Sequence, residues 1–127
     1  ALETAMAWQT ACLNQHKPTA LLLSRQKLPV LHKYAAVIHD NAGKGAYVLD
    51  AGQGEAKAVI IATGSEVHLA LEAQAKLAEE GICVSVVSMP SWDIGINKFG
   101  ASAPGSTVMK EYGFTAENVA AKVKSLL

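Results

Sequence analysis

The spacing of apolar residues changes several times along the chain, and each change marks an expected element. Leu2 to Gln15 lacks Gly and Pro, and Leu2, Ala5, Met6 and Leu13 fall at near-helical steps, which predicts a first helix with a ragged stripe. After Pro18 the run Thr19-Ala20-Leu21-Leu22-Leu23-Ser24 is continuous rather than periodic. That pattern predicts a strand buried on both faces, with Arg25 at its end. Leu28 to Asn41 has no convincing period and contains Pro29, so it reads as a connector.

From Gly45 onward the pattern is that of alternating strands and helices. Ala46 to Leu49 predicts a short strand, and Asp50-Ala51-Gly52-Gln53-Gly54 a turn. Lys57 to Thr63 (KAVIIAT) is β-branched and continuous, as expected of a central parallel strand. Thr63-Gly64-Ser65-Glu66 matches a capping box, in which Thr63 bonds the Glu66 amide and the Glu66 carboxylate reaches back. Val67, Ala70, Leu71, Gln74, Leu77 and Ala78 then mark one helix face, with Gly81 as a left-handed stop. Ile82 to Met89 predicts the next buried strand. Residues 57 to 89 therefore form a strand, helix, strand unit, whose handedness rule makes it a right-handed parallel crossover.

The continuation breaks that rhythm. Pro90-Ser91-Trp92-Asp93 separates the strand from another apolar segment, Ile94 to Phe99, and four residues cannot supply a parallel crossover. That segment must pair antiparallel or sit elsewhere. Gly100 to Gly105 reads as a loop and Ser106 to Tyr112 as a short helix. Thr115 caps a final helix with Val119, Val123 and Leu126 on one face.

Composition narrows the classes of function. A chain of 127 residues, half of them hydrophobic, has room for one core and is neither disordered nor a two-lobed enzyme. Eleven basic and eleven acidic side chains cancel, so no overall field gathers nucleic acid or an anionic membrane. Cys12 and Cys83 stand outside any zinc spacing and read as reduced core thiols. No apolar run reaches membrane-spanning length, and Ala1 to Gln9 lacks the basic flank and apolar block of a signal peptide. A cytoplasmic setting is expected.

Candidate chemistry is sparse. His16, His32, His39 and His68 show no metal-ligand spacing, and His39-Asp40 is an acid/base pair with nothing nucleophilic beside it. Gly52-Gln53-Gly54 lacks the third glycine and the following helix of a dinucleotide loop. The amides after Thr63 could hold a small anion at a helix start, although the capping box already accounts for those residues. Arg25 is the most informative charge, because a guanidinium held at a strand end suits a bidentate grip on phosphate or carboxylate.

Several stretches together resemble a known family: Thr19 to Pro29 (TALLLSRQKLP), Gly45 to Leu49, Ala58 to Glu66 (AVIIATGSE), Val84 to Pro90 (VSVVSMP), Phe99 to Gly105 (FGASAPG) and Tyr112 to Thr115. In this order they are similar to the C-terminal third of transketolase. Transketolases are homodimeric enzymes of the pentose phosphate pathway that use thiamine diphosphate and Mg²⁺ to move a two-carbon ketol unit between sugar phosphates. The resemblance implies that residues 1–33 are a remnant of the pyrimidine-binding domain with its linker, and that residues 34–127 are a C-terminal-like domain. It also implies an α/β three-layer sandwich with a small, mostly parallel sheet, lacking one strand-helix unit where Asp93-Ile94-Gly95 joins the flanking motifs directly. Arg25 matches the family arginine that holds the substrate's phosphate in a complete enzyme. No catalytic, cofactor-binding or metal residue transfers, so no cofactor is expected in this chain. The expectation is a non-catalytic, self-associating structural segment. Its alternatives are a subunit of a split transketolase, completed by a chain with the thiamine diphosphate-binding domains, and a free-standing anion-binding module.

Overall fold

The computed structural model describes residues 1–16, 18–91 and 115–126. Helix α1 (Leu2–Leu13) comes first and α2 (Ala35–Asn41) follows a 3-10 turn at His32–Tyr34. Strand β1 (Tyr47–Asp50), strand β2 (Ala58–Ala62), helix α3 (Val67–Glu79) and strand β3 (Val84–Ser88) build the centre, and α4 (Ala116–Lys124) packs on α3. The class is α/β, as the alternation of patterns predicts.

The sheet order is β1-β3-β2. β2 pairs with β3 in parallel, from Ala58 opposite Val84 to Ala62 opposite Ser88, which bears out the strand, helix, strand unit. β1 runs antiparallel to β3, with an irregularity between Val48 and Asp50, so the sheet is mixed. KAVIIAT was expected in the centre of the sheet. Among the described residues β2 has one neighbour and β3 holds the centre, because a β-branched run records burial and not strand order.

Paired residues point to the same side of a sheet, which divides the strands into two faces. Ala58, Ile60, Ala62, Val84, Val86, Ser88 and Tyr47 share the inner face, and Val84, Val86 and Ser88 are fully buried there. Val67, Ala70, Ala73 and Leu77 of α3 join them, with Ile38 of α2 and Ala116, Ala120 and Val123 of α4 in the same cluster. Leu2 and Met6 of α1 pack against it. Val48, Val59 and Ile61 lie on the other face and are 52%, 57% and 62% exposed. Among the described residues this outer face has no covering layer.

Local signals behave unevenly. Gly81 at φ 76° ends α3 in a Schellman arrangement, with the Ile82 amide donating to the Leu77 carbonyl and the Gly81 amide to that of Ala78. Thr115 caps α4 by accepting from the Asn118 amide at 3.2 Å. The capping box at Thr63 does not form. Gly64 takes φ 52° and opens a 3-10 turn over Gly64–Glu66, so the Glu66 amide bonds the Thr63 carbonyl while the Glu66 carboxylate accepts from Ser65 Oγ.

Four further expectations are corrected. Thr19 to Ser24 is not a strand: residues 18–31 contain no helix or strand, Leu22 is 87% exposed and Leu23 is exposed too. A strand buried on both faces needs neighbours, and the described sheet supplies none to it. Residues 35–41, expected within a connector, form α2, whose seven residues bury Ile38 and are too few to display a period. Cys12 is exposed and Cys83 half-buried, so Cys12 is no core thiol. On α4 the buried stripe is Ala116, Ala120 and Val123, with Leu126 exposed. The segments expected at Ile94 to Phe99, Gly100 to Gly105 and Ser106 to Tyr112 lie outside the described residues.

Candidate functional site

Arg25 lies in the irregular stretch between α1 and α2, exposed, and makes no hydrogen bond or ion pair with the described residues. Its guanidinium is therefore open to a ligand or a partner, but no strand end holds it in place. Gln26 beside it is half-buried, whereas Ser24 and Lys27 are exposed. The other candidates do not assemble around it. His39 Nδ1 meets Asp40 Oδ1 at 2.9 Å with both side chains well exposed, a solvated pair of sequence neighbours. His68 lines a cleft of about 60 Å³ with Glu3, Leu28, Pro29 and Gly64, while His16 and His32 are exposed elsewhere. The turn at Gly52 and Gly54 is a turn: both have positive φ, and a Cβ on Gly52 would stand 2.7 Å from the Val84 carbonyl oxygen.

Two polar networks organise the structure, and the apolar pattern reveals neither. In the first, Glu3 of α1 accepts from Tyr47 Oη at 2.6 Å and from the fully buried Ser88 Oγ at 2.5 Å. Burial, then the Glu3 carboxylate beside it, pushes the Tyr47 phenol far above its usual range. This bond crosses from the N-terminal helix to the sheet. In the second, Asp50 accepts from Tyr34 Oη at 2.6 Å and from the Gly52 amide at 2.8 Å, while Gln74 donates to the Val84 carbonyl at 2.9 Å. The Tyr34 bond is the main cause that holds the Asp50 carboxyl below its ordinary value, and burial first, then Asp50, pushes Tyr34 up to about 12. Glu3 was legible as the lone acid of α1, and Ser88 as a polar residue in a buried strand. Their meeting across 85 positions was not legible.

The helix start after Thr63 offers little to an anion. Glu66 already places a carboxylate there, and a second negative charge would be repelled by it.

Residues 45–94 match the family model described as the transketolase-like TK C-terminal domain. The transketolase of Geobacillus stearothermophilus is 41% identical over 168 aligned positions, which take in 98% of this chain and 25% of that enzyme. The transketolase of Bacillus subtilis is 39% identical over the same shares. Among solved structures, a Pichia stipitis transketolase in complex with sedoheptulose-7-phosphate superposes with a TM-score of 0.78 at 30% identity, covering 97% of this chain and 23% of that one. The chain corresponds to a C-terminal segment of transketolase.

This transketolase segment spans about a quarter of the length of the curated relatives it matches. The 168 aligned positions exceed its 127 residues by 41, so those relatives carry at least that many residues within the span that this chain lacks. That is room enough for the strand and helices expected to be absent, and the match to the family model ends at Ile94, on the junction read from sequence. Among the described residues no three of His, Cys, Asp and Glu come together as metal ligands.

Proposed function

We propose that the segment is a structural, self-associating part of a transketolase and has no ketol-transfer activity by itself. The observation that carries this reading is the apolar surface left open: Leu22, Leu23, Val48, Val59 and Ile61 all stand more than half exposed. A monomer that stayed alone would present this surface to water at the cost of aggregation, whereas association buries it. The reaction of the parent family, transfer of a two-carbon unit between sugar phosphates, requires the coenzyme to be held by domains outside this chain. No helix among the described residues is long and apolar enough to cross a membrane.

A second reading follows from Arg25, whose exposed guanidinium has no partner among the described residues. In an assembly with a chain bearing the thiamine diphosphate-binding domains, Arg25 holds the phosphate of the sugar substrate through paired N–H donors. Both readings meet in one experiment. Ketol transfer is measured with thiamine diphosphate, Mg²⁺ and sugar phosphates, first with the segment alone and then with a chain carrying the remaining transketolase domains. A flat trace for the segment alone is expected, and turnover by it overturns the structural reading. If the mixture is active, Arg25→Gln should raise KM for a phosphorylated acceptor and leave a non-phosphorylated one unchanged. Equal effects on both acceptors would remove Arg25 from phosphate binding.

A further inference from the structure

The apolar surface is not uniform, and its most structured part is the free side of β2. Among the described residues this strand pairs only with β3. Met89 donates its amide to the Ala62 carbonyl at 2.9 Å, so the Ala62 backbone faces β3. Backbone groups alternate sides along a strand, and those of Val59 and Ile61 therefore point to the open edge. Natural edge strands are guarded by lysine, proline or a bulge. β2 reads Ala-Val-Ile-Ile-Ala and contains none of these. A groove of about 490 Å³ opens beside it, lined by Ile60, Leu69, Ala70 and Val119 together with the polar Thr63 and Glu66, with room for side chains from an added strand.

The sequence of β2 also indicates which strand fits. Turned about a two-fold axis through Ile60, it places Ala58 opposite Ala62, Val59 opposite Ile61 and Ile60 opposite its own copy. Small residues meet small ones and branched residues meet branched ones, the match that cross-strand pairs reward. In that register Val59 and Ile61 are the pairs whose N–H and C=O groups face the edge, so each can exchange both bonds with its opposite. An uncharged strand in a chain of zero net charge meets no repulsion from its twin.

We infer that β2 is a homotypic docking edge, through which two copies of this chain join antiparallel into one six-stranded sheet of order β1-β3-β2-β2-β3-β1. The contact is isologous, so it closes at the dimer and does not propagate into a fibre. It rests on the self-associating reading above and names the surface responsible.

The test uses the full chain. Light scattering of the native protein should show a mass rising with concentration from 13.3 kDa to twice that value. Amide hydrogen exchange at Val59 and Ile61 should slow at least tenfold over the same range. The double variant Val59→Lys/Ile61→Lys sets lysine opposite lysine at positions already exposed, and should stay monomeric. Mixing it with Val59→Glu/Ile61→Glu should restore the doubled mass, which a merely unfolded variant could not do. A native chain that stays monomeric at every concentration overturns both the self-associating reading and this edge. A dimer whose Val59 and Ile61 amides remain unprotected, or one that survives the lysine pair, overturns the edge alone.

Discussion

The two faces of the sheet are built from the same three strands and have opposite fates. On the inner face Val84 and Val86 are sealed by α3, and the buried polar residue Ser88 is satisfied by Glu3. On the outer face Val48, Val59 and Ile61 carry the same β-branched chemistry and remain open to water. Strand residues thus declare readiness for burial on both sides, but burial needs a layer to arrive. The relatives carry at least 41 residues more over this span, and the described part of this chain covers one face only.

That asymmetry predicts a graded response to mutation. Leu77 is fully buried under the inner face, and Leu77→Ala removes its methyl groups from a packed site. A loss of about 3 kcal/mol in urea-unfolding stability is expected. A loss below about 1 kcal/mol would show the inner face to be as loosely packed as the outer.

Glu3→Ala strands the buried Ser88 hydroxyl and the Tyr47 phenol together, at a cost of about 2 kcal/mol. Glu3→Gln keeps an acceptor and should recover part of it in the same titration. If both variants match the native chain, α1 is not latched to the sheet through this contact.

The polar networks also set a pH dependence. Tyr34 has its folded pKa raised from 10 to about 12, so its contribution is complete below pH 10 and is lost as pH rises toward 12. Tyr47 shifts in the same direction and adds to that loss. Asp50 is shifted downward, so its contribution is present above its ordinary value near 4 and is lost as pH falls below it. Urea midpoints should therefore drop between pH 10 and 12, and Tyr34→Phe should flatten part of that drop. An unchanged alkaline slope in Tyr34→Phe would remove the Tyr34 to Asp50 bond from the account.

The smallest effect belongs to the outer face. Ile61→Thr, at a side chain 62% exposed, should change the unfolding stability of the dilute monomer by no more than about 0.5 kcal/mol. A cost comparable to Leu77→Ala would mean that a covering layer is present and would erase the contrast between the faces.

Much of this fold could be read from periodicity. The β2, α3, β3 unit, the Gly81 stop, the Thr115 cap and the turn at Gly52 all follow from local pattern and local backbone chemistry. The strand expected at Thr19 to Ser24 failed for a non-local reason, since continuous apolar residues record a demand for neighbours and not their supply. At Thr63 the residues of a capping box were present, but the positive φ of Gly64 turned the chain before the box could close.

The candidate site was legible as a residue and not as a place. Arg25 could be singled out from its motif, while its exposure and lack of a strand to hold it could not. By itself the sequence determined the α/β class and the positions of most elements, because hydrophobic spacing and turn residues act within a few neighbours. Only the tertiary structure decided that, among the described residues, β3 is central, Glu3 meets Ser88, and one sheet face is covered while the other is not. Those outcomes depend on contacts between residues far apart in the chain, where no local pattern specifies the partner.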